Sequence, residues 1–352
     1  MADTITSIEE IIGYDALFDS LMKCKKNVGW KSTTGFYVHN WNTEIMKLEE
    51  ELKKGTYKKR KPKFFMITEP KVREIMSIHF RDRVYLRSLN DNAIYPQITK
   101  SLIPDNFACQ KGKGTDAARD RFKEFIQEHY RKHGTKGYVL SCDIKGYYPN
   151  MSRKFSKEII SDYLDEVTNH FAQIELDSHP GEVGYNPGEQ TIQNVGIVAL
   201  DKMDHYIKER LHIRGYLRYM DDFKLIHPDR KYLECCRDEI EKLLTSYDMK
   251  LNDKKTIIQP ITDKIKFLGF TFQLTETGKV VILVLPEKIK HEKRKLKRMI
   301  ALVNKGKLTK HEVDVHFKAM KASLRKGNYH KMIEKFNKWY SDQWIEGGDH
   351  NE

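Results

Sequence analysis

The sequence predicts an α+β fold, and three observations lead to that class. Along 352 residues, segments of strand-forming side chains alternate with segments whose apolar residues recur at helical spacing. The stretch "GYLRYMDDFKLIHP", Gly215–Pro228, places aromatic and branched runs on both sides of two acids, which is typical of a β-hairpin. The region after Pro286, "EKIKHEKRKLKRMIALVNKG", is basic with helical spacing, which predicts a helical C-terminal module.

The other elements follow in chain order from local patterns. Residues 1–52 predict helices, because "SIEEIIGYDALFDSLMKC" and "NTEIMKLEEELKKG" carry apolar residues at helical spacing. After the basic run "KKGTYKKRKPK", short strands are expected in "FFMITEPKVREIMSI" and an apolar strand in "GYVLSCD". Helices are predicted through "FRDRVYLRSLNDNAIYPQI" and "ARDRFKEFIQEHYRKHG", and around 156–174, 191–211 and 230–246. Two further strands are expected in "IKFLGFTFQL" and "KVVILVL".

Composition narrows the class of protein. A formal charge of +13 favours a polyanionic partner, with nucleic acid as the default and an ordinary basic protein as the alternative. No apolar run approaches the roughly 18 residues that span a bilayer, and the acidic N-terminus does not resemble a secretory signal, so no membrane partner is expected. Five cysteines without metal-ligand spacing predict a cytoplasmic, reduced protein with no disulfide framework and no zinc site.

Three acids stand out chemically. Asp221 and Asp222 are adjacent at the hairpin tip, where their charges repel, and Asp143 ends the apolar run "YVLSCD". A solvated turn is the alternative explanation for the pair. Three carboxylates brought together suit hard divalent cations, and two such ions about 4 Å apart support in-line nucleotidyl transfer.

The order of these motifs resembles that of reverse transcriptases. The strand ending in Asp is followed by "YMDD" on a hairpin, then "LNDKKT" and "FLGF", while "KVREIMSIHFRDRV" and "NFACQKGKGTDAA" are similar to fingers motifs of the bacterial branch. The resemblance covers roughly residues 65–275. It implies a right-hand polymerase fold: an N-terminal helical, basic extension at 1–60, fingers and palm with an antiparallel sheet at 61–285, and a helical basic thumb at 286–352.

The resemblance also implies roles for individual residues. Asp143 and Asp221 become the principal ligands of two Mg²⁺ ions (Mn²⁺ as the alternative), with Asp222 less directly engaged and Ile144 offering its carbonyl oxygen. Tyr148 matches an aromatic gate that excludes a ribose 2′-OH, although a core aromatic is the alternative. The expected nucleotide-binding set is Arg73, Lys111, Lys113, Tyr148, Gln193 and Lys255. For the two loop lysines, Lys111 and Lys113, a solvated loop is the alternative.

A second set of residues is expected to contact the nucleic-acid backbone or the primer. The "KKR" of the basic run and the basic helix supply positive charge, and "FLGF" resembles a primer grip; a solvated face and ordinary strand packing are the alternatives. The set is Lys58, Lys59, Arg60, Phe267, Leu268, Gly269, Lys290, Lys293, Arg294, Lys297 and Arg298.

One motif departs from the family pattern. Where the family commonly has PQGxxxSP, this chain has "NPGEQTIQ", which ends in Gln193 and is similar to the corresponding stretch of diversity-generating retroelements, although Ile192 departs from that as well. Template-side contacts are therefore not inherited from the resemblance. No endonuclease domain is expected after the thumb.

The resulting expectation is an RNA-directed DNA polymerase that extends a DNA or RNA primer with dNTPs on an RNA template. Its context is a bacterial or phage retroelement or an antiviral defence system, with an accessory protein left open. Two alternatives are an RNA-binding, maturase-like chaperone and a template-independent or RNA-making polymerase on the same fold.

Overall fold

The computed structural model describes residues 6–68, 72–324 and 330–345. Helices and antiparallel hairpins are interspersed along the chain, so the predicted α+β class is confirmed. None of the described helices is long and apolar enough to span a membrane.

The N-terminal region is helical, as predicted. Ser7 and Glu10 form a reciprocal capping box that starts the first helix by satisfying backbone donors at its open end. A short antiparallel hairpin follows the basic run, with Lys63 opposite Ser77. The elements are α1 (Ile8–Ile12), α2 (Tyr14–Cys24), α3 (Ser32–His39), α4 (Trp41–Lys53), β1 (Lys63–Ile67) and β2 (Arg73–Ser77).

The central region carries the sheet that positions the acids. This four-stranded sheet has the order β4-β5-β3-β6, so the strand that ends in Asp143 lies beside the second strand of the Asp221–Asp222 hairpin. The elements are α5 (Phe80–Ser88), a π-helical segment (Leu89–Ile94), α6 (Tyr95–Ile98), α7 (Thr115–His133), β3 (Tyr138–Asp143), α8 (Tyr147–Asn150), α9 (Arg153–Ser161), α10 (Glu166–Asp177), α11 (Gln190–Val198), α12 (Asp201–His205), a second π-helical segment (Tyr206–Arg210), β4 (Gly215–Tyr219), β5 (Asp222–His227), α13 (Arg230–Ser246) and β6 (Ile257–Pro260).

A three-stranded antiparallel sheet and three helices make up the C-terminal region. Phe122 of α7 packs edge-on against Phe267 and Phe272, which gives this sheet a buried aromatic face. The expected helical tail begins at Pro286, where a proline suits the first helical turn. The elements are β7 (Ile265–Phe267), β8 (Phe270–Leu274), β9 (Val280–Val284), α14 (Pro286–Asn304), α15 (Lys310–Leu324) and α16 (His330–Ile345).

The chain divides into two compact units. The first contains Met1–Gly114, Ser141–Lys224 and Glu234–Thr256, and the second contains Thr115–Leu140, Leu225–Leu233 and Ile257–Glu352. These units follow packing rather than polymerase subdomains, so the boundaries expected at 60/61 and 285/286 stay a prediction. The three aspartates of interest all belong to the first unit.

Candidate active site and nucleic-acid interface

The acidic hairpin turns one residue earlier than the sequence predicts. Strand β4 ends at Tyr219 and β5 begins at Asp222, so the two-residue joint is Met220–Asp221. The left-handed backbone falls on Met220, with φ +58°, and not on an aspartate. A non-glycine residue held in this region costs on the order of 1–3 kcal/mol, so surrounding contacts must hold the turn in place.

A buried ion pair supplies those contacts. The fully buried Arg218 donates from Nη1 to the carbonyl oxygen of Met220 at 3.0 Å and from Nη2 to that of Ile197 at 2.8 Å. Its Nε and Nη2 also donate to the buried Asp204 carboxylate, at 2.7 and 2.6 Å, and the hydroxyl of Tyr216 donates to the same carboxylate. Burial opposes the guanidinium charge, but Asp204 outweighs it and raises the pKa of Arg218. Arg218 therefore anchors the carbonyl immediately before Asp221.

The end of β3 is bound to this turn through the main chain. The amide of Ile144 donates to the carbonyl oxygen of Asp221 at 3.3 Å, and the amide of Asn252 donates to the carbonyl oxygen of Asp143 at 2.8 Å. The Asp143 side chain is half-buried, and its Oδ2 accepts from Lys255 Nζ at 2.7 Å. These bonds tie the end of β3 to the acidic turn, and they bring Lys255, one of the expected nucleotide contacts, to Asp143.

The third acid points to a different partner. Asp222 Oδ1 accepts from Lys224 Nζ at 2.5 Å, and Lys224 is buried. Burial raises the pKa of Asp222, while Lys224 opposes that shift. For Asp221, burial together with the charges of Asp143 and Asp222 raises the pKa above that of an ordinary aspartate, against a hydrogen bond from its own amide. Asp222 is therefore paired with a buried lysine, whereas the lysine that pairs with Asp143 is exposed.

A different acidic cluster meets a simple distance test for a metal. Within residues 6–68, 72–324 and 330–345, one group of three potential metal ligands has all its ligand atoms within 4.8 Å of one another: Glu175, His179 and Glu189. The three aspartates do not meet that distance. Lys59 Nζ donates to Glu175 Oε1 at 2.5 Å and to Glu189 Oε2 at 2.8 Å. His179 Nε2 lies 3.1 Å from the same Glu189 oxygen. Lys59 thus supplies the positive charge that a metal ion would bring.

The contacts of this cluster distinguish Lys59 from its neighbours in the basic run "KKGTYKKRKPK". Lys59 was expected on the nucleic-acid interface, but its side chain is 12% exposed and committed to two buried carboxylates. Lys58 is exposed, and Arg60 is exposed with its Nη1 3.2 Å from His79 Nε2. Two of the three basic residues therefore face solvent, and the third holds the run against the protein.

Two of the expected nucleotide contacts line one cavity of about 410 Å³. The amide of Lys111 donates to the Tyr95 hydroxyl at 2.7 Å, and its Nζ lies 5.1 Å from the centre of that ring. Gln193 Nε2 donates to the carbonyl oxygen of Pro187 at 3.0 Å. No role was expected from the sequence for the other polar side chains of this cavity, which include Cys24, Arg83, Arg87, Asp91, Cys109, Gln190 and Asn194.

The remaining expected nucleotide contacts do not line that cavity. Lys113 Nζ donates to the carbonyl oxygens of Pro104 and Asn106, each at 2.8 Å, and burial lowers its pKa. Lys113 therefore shapes its own loop, whereas Arg73 is exposed at the start of β2. The six expected nucleotide contacts are not gathered at one place in this structure.

Tyr148 lies directly over the acidic turn. Its hydroxyl is 3.4 Å from Met220 Sδ, and a Cβ added to Gly196 would lie 2.5 Å from the same hydroxyl oxygen. The hydroxyl of the neighbouring Tyr147 donates to the Gly196 carbonyl at 2.7 Å. The glycine thus makes room for the Tyr148 ring, a requirement that no short sequence pattern revealed.

Eight of the expected nucleic-acid contacts belong to the second unit, three around the β7–β8 turn and five on α14. Leu268 and Gly269, with φ +45° and +82°, form the two-residue turn between β7 and β8, a conformation that suits a tight hairpin. Phe267 is buried. On α14, Lys293 Nζ lies 4.8 Å from the Trp339 ring, while the basic side chains exposed to solvent are Lys290, Arg294, Lys297 and Arg298.

The sequence contains a weak signal for Arg218 and Lys224, two residues of the site that were not predicted. Arg218 and Lys224 interrupt strand runs in which neighbouring residues on both faces are buried. A charge inside a doubly buried strand requires a partner. The sequence could have flagged the two charges, but not Asp204, which lies on a different element.

Comparison with known proteins adds a family match over part of the chain and a similarity of fold. Residues 194–272 match the family described as "Reverse transcriptase (RNA-dependent DNA polymerase)", a range that includes Asp221, Asp222, Lys255 and the β7–β8 turn. No curated protein sequence matches the chain.

Solved telomerase structures are similar to this chain. Apo telomerase from Candida tropicalis has a TM-score of 0.50 and 14% identity, covering 67% of this chain and 52% of its own. A form of it truncated from the C-terminal domain gives 0.47 at 14% identity, with coverages of 62% and 54%. Candida albicans telomerase with a fragment of telomeric RNA gives 0.47 at 14%, with 62% and 45%. The chain spans about half the length of these proteins. At this identity the first similarity shows the fold, which is right-hand polymerase-like.

Proposed function

We propose that this chain is an RNA-directed DNA polymerase that extends a primer 3′-OH with dNTPs on an RNA template. The observation that carries the proposal is the main-chain bond from Ile144 to Asp221, which joins the backbone that follows Asp143 to the turn that carries Asp221; both aspartates are half-buried. The family match over residues 194–272 and the polymerase-like fold support it.

The acidic pair fits divalent cations. Lys255 Nζ sits 2.7 Å from Asp143 Oδ2, so a cation already stands at that oxygen, and Asp221 carries a raised pKa that a nearby positive charge relieves. Asp143 and Asp221 would hold Mg²⁺ through their carboxylates, with Ile144 contributing its carbonyl oxygen. When bound, two such ions activate the attacking hydroxyl and neutralise the leaving phosphate.

The chain's own residues then have distinct tasks. Arg218 holds the Met220 carbonyl and so fixes the turn that presents Asp221. The ammonium of Lys224 neutralises the Asp222 carboxylate, so the negative charge of Asp222 does not repel the incoming triphosphate. Lys255, whose ammonium pairs with Asp143, would neutralise the leaving pyrophosphate. Tyr148, which packs on Gly196, would exclude a ribose 2′-OH.

The biological context is part of the proposal. The ending of the fourth motif in Gln193 favours a bacterial or phage retroelement or a defence system over an intron-encoded enzyme. This proposal also includes a cognate RNA template, a primer and a partner protein. It further includes the exchange of dNTP through the cavity that Lys111 and Gln193 line.

The test is primer extension on a primed RNA template with the wild-type chain and Asp221→Asn. We expect Asp221→Asn to lower synthesis by at least about 10³-fold while RNA binding is retained, because the amide cannot neutralise a cation. Asp263→Asn, the same change on an exposed turn, is the matched control and should synthesise normally. Equal synthesis by Asp221→Asn and wild type contradicts the mechanism. An RNA-dependent activity that is insensitive to Asp221→Asn favours the RNA chaperone instead.

A further inference from the structure

A tryptophan stands almost fully exposed in the turn between α2 and α3. The Trp30 side chain is 81% exposed, and its indole N–H donates to the carbonyl oxygen of Asn27 at 3.2 Å. The following amide, of Lys31, donates to the carbonyl oxygen of Val28 at 3.1 Å. The turn therefore presents the flat face of the indole to solvent in a defined orientation. A large apolar ring displayed in this way marks an interaction site more often than a scattered small apolar residue does.

The surroundings of this ring carry only positive charge along the chain. From residue 22 to residue 36 there are four lysines and no aspartate or glutamate. Lys31 Nζ lies 5.4 Å from the centre of the Trp30 ring, and Lys26 is exposed. Lys23 is paired with Asp91 at 3.6 Å, so the other lysines of this stretch are Lys25, Lys26 and Lys31. Phe36, 66% exposed on α3, adds a second aromatic. We call Lys25, Lys26, Trp30, Lys31 and Phe36 the Trp30 surface.

The Trp30 surface begins at the edge of the cavity that Lys111 and Gln193 line. Cys24, which directly precedes Lys25, is one of the cavity's lining residues, and its Sγ lies 3.5 Å from the carbonyl oxygen of Arg83, another of them. A strand that leaves this cavity on the side of Cys24 therefore meets the lysines and the indole next. This continuity connects the Trp30 surface to the cavity through which dNTP exchange is proposed.

We propose that the Trp30 surface binds single-stranded nucleic acid, and that its physiological ligand is the unpaired template strand adjoining the cavity. A base stacks on the Trp30 indole, and backbone phosphates lie against Lys25, Lys26 and Lys31. Aromatic stacking and lysine charge together are how proteins hold single strands without reading their sequence. The assignment of the strand as template rests on the proposed function, whereas the binding surface itself does not.

The charge pattern favours this ligand over a protein. An apolar protein partner gains nothing from three lysines that it must desolvate, while each phosphate placed beside a lysine releases a counterion. Binding should therefore weaken as salt rises, and that slope should depend on these lysines.

The experiment measures binding of a fluorescently labelled single-stranded oligouridylate to the full chain carrying Asp221→Asn, so that no synthesis takes place. We expect Trp30→Ala to raise the dissociation constant about 5- to 100-fold, from the usual contribution of one base stacked on one aromatic ring. Trp30→Phe should recover most of the affinity. Lys25→Glu with Lys26→Glu should lower the salt slope by about 1.4, since each single-strand phosphate contact contributes about 0.7. Val183→Ala, at an exposed apolar residue of another segment, is the control.

The outcomes separate the two proposals. Equal affinity in Trp30→Ala and the parent, with both chains folded by circular dichroism, overturns the Trp30 surface whatever the polymerase assay shows. Weakened binding in Trp30→Ala supports the surface even where the chain with Asp221 intact fails to extend a primer, a result that counts against the proposed function alone. Trp30-dependent binding to anionic phospholipid vesicles, with no Trp30-dependent binding to the oligonucleotide, overturns the proposal in favour of a lipid ligand.

Discussion

The first unit contains two pairs of carboxylates that each bind a lysine, and the two pairs differ in how closed they are. Glu175 and Glu189 are 1% and 0% exposed, and Lys59 between them is 12% exposed. Asp143 is 16% exposed, and its partner Lys255 is 57% exposed. Similar chemical groups are therefore sealed in one place and left open to solvent in the other.

The difference teaches what a short distance between acids means. The Glu175–Glu189 cluster meets the distance criterion for a metal, yet its cation is a lysine that belongs to the fold. The Asp143–Asp221 pair holds an exposed lysine that can be displaced without unfolding anything. A closed acid pair with a built-in cation contributes stability, whereas an open pair with a displaceable cation is suited to chemistry.

The largest effect that sharpens this contrast is expected from Lys59→Ala. Removing the ammonium leaves two buried glutamates compensated only in part by His179, and loss of one partner of a buried ion pair usually lowers the free energy of unfolding by about 3–5 kcal/mol. The measurement is urea unfolding at pH 7, followed by circular dichroism.

Lys58→Ala is the matched control for this change. It removes a lysine from the same basic run, but an exposed one, so the free energy of unfolding should stay within about 0.5 kcal/mol of wild type. Equal stability of the two variants would mean that Lys59 does not compensate the glutamates, and the closed cluster would then be open to a metal ion.

The second-largest effect is expected from Lys255→Ala, which should lower kcat and leave the free energy of unfolding nearly unchanged. The exposed ion pair between Lys255 and Asp143 contributes little to stability, so the free energy of unfolding should change by less than about 1 kcal/mol. Loss of a positive charge beside developing phosphate charge should lower kcat by about 10²-fold, measured by primer extension under saturating dNTP.

Lys254→Ala, at the exposed neighbouring lysine, should leave both stability and kcat close to wild type. A Lys255→Ala chain that unfolds several kcal/mol more easily, with kcat unchanged, would reverse the roles assigned to the two lysines.

The parts that sequence reasoning recovers are those written in neighbouring residues. The hairpin around Asp221 and the strand ending in Asp143 follow from period-two patterns, and their pairing follows from the need to place acids around a cation. The turn lies one residue earlier than the acid pair indicates, because Met220 occupies its left-handed position. Arg218 supports that choice through a bond that local propensity does not include.

The parts that were missed depend on distant contacts. Nothing in "KKRK" distinguishes Lys59 from Lys58, and the glutamates that bury Lys59 lie 116 and 130 residues away. Lys113 likewise binds two backbone carbonyl oxygens of its own loop, contacts that its basic surroundings in the sequence do not indicate, and its contact with a nucleotide stays a prediction. Basic residues are easily predicted as a group, but which of them face a ligand is decided by tertiary packing.

The smallest expected effect is the pH dependence of the closed cluster. Burial opposes the charged imidazole of His179, but its contacts with the glutamates outweigh burial and raise the pKa of His179 above its usual value of 6.5. A raised pKa means that this group stabilises the fold fully below about pH 6.5 and loses its contribution as pH rises through the folded-state pKa. Burial also opposes the charge of Glu189, but His179, Glu175 and Lys59 lower its pKa to about 2, so its contribution is present above about pH 4.5.

His179→Gln should therefore cost most between about pH 4.5 and 6.5. We expect a loss of about 1.5 kcal/mol at pH 5.5, the size of a hydrogen bond to a charged group, and a smaller loss at pH 8.5. Urea unfolding of both chains at the two pH values measures this difference. His170→Gln, at an exposed histidine of α10, should show no such difference. A larger loss for His179→Gln at pH 8.5 than at pH 5.5 would show that the imidazole is neutral in the fold, in which case Lys59 alone balances the two glutamates.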